Sequence, residues 1–491
     1  MRKLLLASAA VVGAASWLNP ASAQTTPLPM PTQGVFAAKP SASPPAGANN
    51  NNNTNVTTVP GAVANPTPGT VVIHVNGRVM TELNAAWSNL DHGSYPAVTG
   101  VGGATLVPAG TYKIQPTNIS TYARIYTGLD AMAANGLRYG GAIEIREDFM
   151  GSSPNNSSTG SSGYSSSQTL YVRRAFAYLA ADNVGLLRVG QGDGLISLYD
   201  NGITTFQFTP GGNLNGGDLQ SVVPVGAQIP FAFLGVSGNE YTTNRIVYMS
   251  PQFAGFDFGV SWAPNTTNGF GQGAGTTYGT VGGCPYATST CPNLSSSTIA
   301  GDTARTLNLV QAGVRYQGKF DALGVLAYGV YEFSGHATWN RGAAPTATGQ
   351  TYNGLAFGNA GVALTYAGFT VGGNWVGGAV NGQGGPKPDG GSDTQGWLAG
   401  VTYKTGPLIV GVVGENINSQ GSPALTGKTQ RHEIGIDGSA AYTIAPGLIG
   451  FVEYIYQYRK QNGFNFASGT TGTAYNTITS QALELGTTVY W

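Results

Sequence analysis

Val71-Val72-Ile73-His74-Val75-Asn76-Gly77-Arg78-Val79-Met80-Thr81-Glu82-Leu83-Asn84-Ala85-Ala86-Trp87 reads with a period of two. Ile73, Val75, Gly77, Val79, Thr81, Leu83, Ala85 and Trp87 are apolar or small, and His74, Asn76, Arg78, Met80, Glu82 and Asn84 between them are mostly polar. Successive side chains of a strand point to opposite faces, so this alternation predicts a strand with one greasy and one wet face. The run is longer than the ~5–6 residues usual for a strand. It reaches the ~9–11 residues that a tilted strand needs to cross a bilayer.

The same pattern recurs to the end of the chain. Leu137, Tyr139, Gly141, Ile143 and Ile145 alternate with Arg138, Gly140, Ala142, Glu144 and Arg146. Phe256, Phe258, Val260 and Trp262 alternate with Asp257, Gly259 and Ser261. Leu483, Leu485, Thr487, Val489 and Trp491 alternate with Glu484, Gly486, Thr488 and Tyr490. About sixteen such windows fit between residues 70 and 491. Short connections, as at Ala133–Asn135, Asp182–Asn183, Gly368 and Gly406, alternate with long ones at 91–118, 150–167, 194–243, 264–303, 337–353, 381–392, 420–428 and 462–476. A soluble sandwich has no reason for that rhythm. An all-β, transmembrane antiparallel barrel does, with tight turns at one rim and long loops at the other. Trp87, Tyr126, Trp262, Trp397, Tyr442, Tyr454, Tyr456 and Tyr458 fall near strand ends and are expected to form the aromatic girdles at the headgroups.

Composition agrees. Of 491 residues, 75 are Gly and only 9 % are charged, while 41 % are hydrophobic. A soluble enzyme carries far more charge, and a disordered chain lacks this apolar content. Arg2-Lys3, the apolar run from Leu4 to Leu18 and Ala21-Ser22-Ala23 form an export signal, residues 1–23, with cleavage expected near Ala23. Residues 24–69 are rich in Pro and Asn, have no apolar period, and read as a disordered tether. Residues 70–491 are the barrel domain. The signal removes two bases and no acid, leaving the exported chain two charges negative, which excludes a nucleic-acid partner. Cys284 and Cys291, close in an exported Gly/Ser-rich stretch, are expected to form a local disulfide. No His lies near them, so no metal site is expected, and no cofactor motif is present.

Two hairpins carry a family resemblance. Arg173-Arg174-Ala175-Phe176-Ala177-Tyr178-Leu179, leading into Gly185-Leu186-Leu187-Arg188-Val189-Gly190-Gln191, resembles one hairpin of the Gram-negative general diffusion porins. Asn244-Arg245-Ile246-Val247-Tyr248-Met249-Ser250-Pro251-Gln252-Phe253-Ala254-Gly255-Phe256-Asp257-Phe258-Gly259 resembles the next one, and is the more specific of the two. The terminal Trp491 resembles the aromatic ending read by the barrel assembly machinery, although Phe is commoner there. The resemblance implies a sixteen-stranded barrel in the outer membrane of a Gram-negative bacterium, in contact with its lipid and lipopolysaccharide. It also implies a homotrimer, passive diffusion of ions and small hydrophilic solutes, and a third long loop folded inward. That loop is 194–243, which is long for the family and lacks its acidic Pro-Glu-Phe-Gly-Gly motif.

In that family, acids on the inward loop face arginines on the wall. The carry-over makes Asp193, Asp200, Asp218 and Glu240 the acidic side and Arg78, Arg124, Arg138, Arg146, Arg173 and Arg188 the basic side, with Arg315 a later candidate. Glu82, Asp130 and Glu144 are alternative partners for these arginines. Arg174 breaks the alternation around it and marks either a register shift or a position on the outer rim. No catalytic constellation is found. Gly421–Thr429 has the wrong spacing for a phosphate loop, and no nucleophile elbow or zinc-binding helix exists. A monomeric solute-selective channel is the nearest alternative, and a barrel hydrolase or an adhesin lies further off.

Overall fold

A computed structural model describes residues 66–95, 98–99, 105–107, 110–113, 116–148, 171–200, 244–265, 307–335, 337–338, 351–381, 386–422, 425–468 and 470–491. Sixteen strands close into one antiparallel barrel. They are β1 (Val71–Ser88), β2 (Thr117–Met132), β3 (Arg138–Asp148), β4 (Tyr171–Ala181), β5 (Gly185–Gln191), β6 (Asn244–Met249), β7 (Phe256–Asn265) and β8 (Leu307–Phe320). The second half is β9 (Leu323–Phe333), β10 (Ala356–Tyr366), β11 (Phe369–Ala379), β12 (Thr394–Thr405), β13 (Leu408–Ser419), β14 (Arg431–Ala445), β15 (Leu448–Gln461) and β16 (Thr477–Tyr490). Each strand pairs with its sequence neighbours, and β1 pairs with both β2 and β16. Closure leaves no edge with unpaired backbone groups, which hydrocarbon would not tolerate. No helix among the described residues is long and apolar enough to cross a membrane.

The period of two sorts the side chains. On β1, Ile73, Val75, Leu83 and Trp87 are exposed on the outer face, while His74, Arg78, Met80, Glu82 and Asn84 are buried on the inner one. The order inverts that of a soluble protein: apolar side chains face lipid and charged ones face the lumen. Trp87, Trp262, Trp397, Tyr442 and Tyr454 lie exposed on the outside, as girdle residues should. Tyr126 does not. It shares the inner face of β2 with Arg124 and Asp130 and packs against the lumen cluster, because its even-numbered place in that strand points inward.

The apolar core sits inside the barrel. The segment after β5 turns into the lumen as the short helix α1 (Leu195–Tyr199). Leu195, Ile196, Leu198 and Tyr199 are buried in a cluster with Val247, Met249, Leu309, Val330 and Phe357 from the inner faces of β6, β8, β9 and β10. The long loop expected to fold inward therefore does so in its described part. Asp218, Glu240, Cys284, Cys291 and the export signal lie outside the described residues, as does the expected tether up to residue 65. The chain is already in place at Gly69, whose N–H donates to the Met132 carbonyl at 2.7 Å.

The seam is closed by the last residue. Gly77 N–H donates to the Trp491 carbonyl and Trp491 N–H to the Gly77 carbonyl, each at 3.2 Å. The indole covers Gly77 so closely that a Cβ there would overlap the ring. Gly77→Val is therefore expected to push the ring off the seam. The cost is about 1–3 kcal/mol, as for other overpacked sites. Urea titration of the barrel folded into lipid should show it, and an unchanged midpoint would refute the clasp.

Candidate functional site

Short turns join β2 to β3 and β4 to β5, which fixes the periplasmic rim, and the long loops fix the outer one. Three groups of charged side chains line the lumen between these rims.

The first group is basic and spans β1 to β5. Arg78, Arg124, Arg138 and Arg188 all point inward and are buried. The register sets Arg78 opposite Arg124, and Arg124 opposite Arg146, so three arginines occupy one rung across β1, β2 and β3. The side chains of Arg146 and Arg173 lie outside the described residues. Arg138 lies at the periplasmic end of β3, away from that rung, and pairs with Asp182 in the adjoining turn. His74 and Asp130 form a neighbouring pair at 3.2 Å, and the Tyr178 hydroxyl donates to Asp130.

Arg174 is the centre of this wall. A register shift falls where Glu144–Ile145 of β3 meets Val172–Arg174 of β4. Such a bulge turns a side chain to the other face, and Arg174 points inward, 2 % exposed. It pairs with Glu144 on one side. On the other, its Nη2 donates to Asp193 Oδ1 at 3.1 Å. Glu144 also meets Arg124 at 3.4 Å. Arg188 donates to the Asp193 backbone carbonyl and lies 4.8 Å above the Phe176 ring. Two wall arginines therefore hold the root of the inward loop at Asp193. Asp193, expected at the root of the loop on the acidic side, lies in direct contact with Arg174 and Arg188.

The second group holds the loop further along. Gly194 runs so close to β6 and β8 that a Cβ would overlap the Arg245 guanidinium and the Gln311 carboxamide. Gln311 accepts from the Leu195 N–H and donates to Glu332 at 2.7 Å. Arg315 pairs with Asp257 at 3.0 Å and lies 4.8 Å above the Tyr199 ring. Burial, and then the Asp257 carboxylate beside it, hold the Tyr199 hydroxyl well above the ordinary phenol range, so it stays neutral. Asp200 accepts from Asn374 of β11 at 3.4 Å. The loop thus crosses from β5 to β11 within nine residues, latched at each step.

The third group was not singled out in the sequence. Glu415, Glu433, Asp437, Glu453 and Glu484 are buried on the inner faces of β13 to β16, with Glu82 of β1 beyond them. Glu453 and Glu484 are direct cross-strand partners. Arg459 answers Glu433 at 2.9 Å, and Arg431 lies over the Phe464 and Phe466 rings at 5.4 and 5.6 Å. The signal was available, since each of these acids takes a wet place in an alternating window. An acid-rich wall and an arginine-rich wall in one lumen create a transverse field. That field orients dipolar solutes and sorts ions by sign.

The family described as Gram-negative porin matches residues 57–490. No curated protein matches the chain. Among solved structures it is similar to an anion-selective porin from Comamonas acidovorans, at 15% identity and a TM-score of 0.47, over 86% of this chain and 100% of that one. It is also similar to the trimer form of OmpT, an outer membrane protein of Vibrio cholerae, at 12% identity and a TM-score of 0.48, over 86% and 99%. A third is Salmonella typhi OmpF in complex with daunomycin, at 13% identity and a TM-score of 0.44, over 85% and 97%.

Proposed function

The chain belongs to the Gram-negative porin family, outer-membrane channels for the passive diffusion of solutes, and from that premise we propose that it works as a non-catalytic homotrimeric pore whose selectivity is set by the arginine rung of β1 to β3. The observation that carries this reading is the sorting of side chains: charge toward the lumen and apolar groups toward lipid over a closed barrel. No reaction is needed for passage, only a waist and a field across it. Arg78, Arg124, Arg146 and Arg188 supply the basic side. Arg173 is kept on the basic side as the family resemblance implies, and Arg174 beside it holds the loop. The acidic side is supplied by the wall of β13 to β16, with Asp200, Asp218 and Glu240 on the loop adding to it.

The outer surface supports the trimer. Exposed side chains on β1 to β5 are largely aliphatic, Val71, Ile73, Val75, Leu83, Ile119, Ile125, Leu129, Ile143, Val172, Leu179, Leu187 and Val189, with Trp87 and Tyr139 the aromatic ones. From β7 to β15 aromatic side chains make up about half of the exposed set, among them Phe256, Phe258, Trp262, Phe333, Tyr366, Phe369, Trp375, Trp397 and Tyr442 beside valines, leucines and isoleucines. Aromatic girdles belong where a barrel meets headgroups. The aromatic-poor arc is the face that meets a second copy. The remaining roles follow the sequence: export with cleavage near Ala23, a tether over 24–69, a Cys284–Cys291 disulfide, recognition of Trp491 by the barrel assembly machinery, and contact with lipopolysaccharide.

Planar-bilayer recording of the purified protein under a salt gradient tests this directly. Large ohmic steps in groups of three are the expected result. Single small steps blocked by one sugar would replace the trimer with a solute-selective monomer. Folded protein without conductance would overturn the open pore.

A further inference from the structure

The inner face of β13 to β15 carries a closed ion pair with a charge of opposite sign on either side of it. Arg459 meets Glu433 at 2.9 Å, and its Nη2 donates to the Gln457 carboxamide oxygen at 2.9 Å. Toward the outer rim stands Arg431, the first residue of β14 and 2 % exposed. Deeper in the lumen stands Glu415 of β13, 4 % exposed and the register partner of Gly435. Arg431 Nε and Nη2, the two donors along one edge of the guanidinium, have no hydrogen-bond partner among the described residues. Neither has Glu415 Oε2.

Arg431 is clamped by its face and its stem. The guanidinium lies over Phe464 and Phe466, whose buried rings meet edge to face at 5.3 Å. Gly421 passes so near that a Cβ there would overlap Arg431 Cβ. That turn is itself fixed: Gly421 N–H donates to Asn381 Oδ1 at 3.1 Å, and Gln461 Nε2 donates to the Gln420 carbonyl at 2.9 Å. The clamp therefore uses rings and backbone and takes up neither edge donor. The charges acting on Arg431 are Glu433 and Arg459, and those acting on Glu415 are Glu433, Arg459 and Asp437. A buried charge without hydrogen bonds is costly, and a solute that supplies them recovers that cost.

The chemistry of the two ends differs. One guanidinium edge matches the two oxygens of a carboxylate in plane, while a carboxylate accepts from the three donors of an ammonium. Gly435, level with Glu415, is four residues from Arg431 on β14, which is about 14 Å of strand. The termini of an extended tripeptide lie about 10 Å apart, and the two side chains cover the rest. A simple anion at Arg431 would meet Glu433 and leave Glu415 unanswered. A simple cation at Glu415 would leave Arg431 unanswered. We propose that Arg431 and Glu415 are the two ends of a lumen subsite for a short zwitterionic peptide, Arg431 taking its terminal carboxylate and Glu415 its terminal ammonium. The closed Arg459–Glu433 pair faces the uncharged middle of the solute. The subsite rests on the open-pore reading given above.

Triglycine is the probe, and interruption of the single-channel current in a planar bilayer is the readout. Wild type should be interrupted by triglycine at a concentration about tenfold lower than by N-acetyl-triglycine or triglycine amide, since each of these lacks one charge-assisted contact. Arg431→Gln should make triglycine no better than its amide. Glu415→Gln should make triglycine no better than its N-acetyl form. Arg431→Lys keeps the charge without the fork and should fall between wild type and Arg431→Gln. Heat-resistant mobility in gel electrophoresis identifies the folded variants, and the comparison of the three peptides on wild type needs no variant at all. A conducting wild-type pore that triglycine interrupts no better than its capped forms overturns the subsite and leaves the pore. So does a preference for triglycine that survives both Arg431→Gln and Glu415→Gln. Folded wild type without conductance overturns the pore and the subsite with it.

Discussion

Arg174→Met is expected to destabilise the folded barrel by about 3–5 kcal/mol, the cost of removing one partner from a buried ion pair. The methionine matches most of the arginine's length but leaves Glu144 and Asp193 facing each other without their shared cation. Arg124 still reaches Glu144 at 3.4 Å. Arg188 still holds the Asp193 carbonyl. Neither replaces the two-sided grip of Arg174 on both carboxylates. Because Asp193 is the root of the inward loop, the same change should raise open-channel current noise. The triple change Arg174→Met/Glu144→Gln/Asp193→Asn should recover most of the lost stability, since a pair removed whole costs far less than one removed by half. Urea midpoints for the single and triple variants give this cycle. If the single variant matches wild type, the arginine does not hold the loop.

The strands were legible because lipid imposes a rule with few exceptions: outward apolar, inward polar, repeated over ten or more residues. The alternating stretches Val71–Trp87, Leu137–Arg146 and Leu483–Trp491 fall on strands Val71–Ser88, Arg138–Asp148 and Thr477–Tyr490, overrunning them by one residue at most. Inward orientation was equally legible for Arg78, Arg124, Arg138 and Arg188, since parity alone decides it. What parity cannot give is height along the pore or the partner of each charge. Arg138 has the right face but sits at the periplasmic rim with Asp182. Tyr126 was assigned by residue type rather than by its place in β2, and type gave the wrong face.

Arg174 shows the limit most clearly. Its conflict with the alternation marked a register shift, and the shift exists between Glu144 and Ile145. Which residue profits from it depends on contacts across β3 and on Asp193, 19 positions further along the chain. A bulge consumes one residue of register, and no local pattern says what the released side chain will meet. The acid wall of β13 to β16 was hidden for another reason. Glu415, Asp437, Glu453 and Glu484 each occupy an inward place in an alternating window, but only closure of the barrel brings these four strands side by side into one wall.

Arg78→Gln/Arg124→Gln is expected to move the reversal potential toward that of the cation, whatever the starting preference. Two unit charges about 6 Å apart interact by about 0.7 kcal/mol at the dielectric of water, which is about threefold in local concentration. An arginine repels cations and attracts anions by that factor, so removing one shifts their ratio by up to about tenfold at low salt. Salt weakens this. The screening length is about 10 Å at 0.1 M and about 3 Å at 1 M, so the shift should shrink to nearly nothing at the higher concentration. Glu144 keeps Arg174 in this variant and a glutamine at 124 still offers an amide donor, so the root of the loop stays held while the current is recorded. Arg138→Gln is the control. That arginine points into the lumen with its neighbours but lies at the rim, paired with Asp182, so its loss should leave the potential close to wild type. Equal shifts from the rung and the rim would mean that selectivity follows the total charge of the lumen rather than a field at its waist.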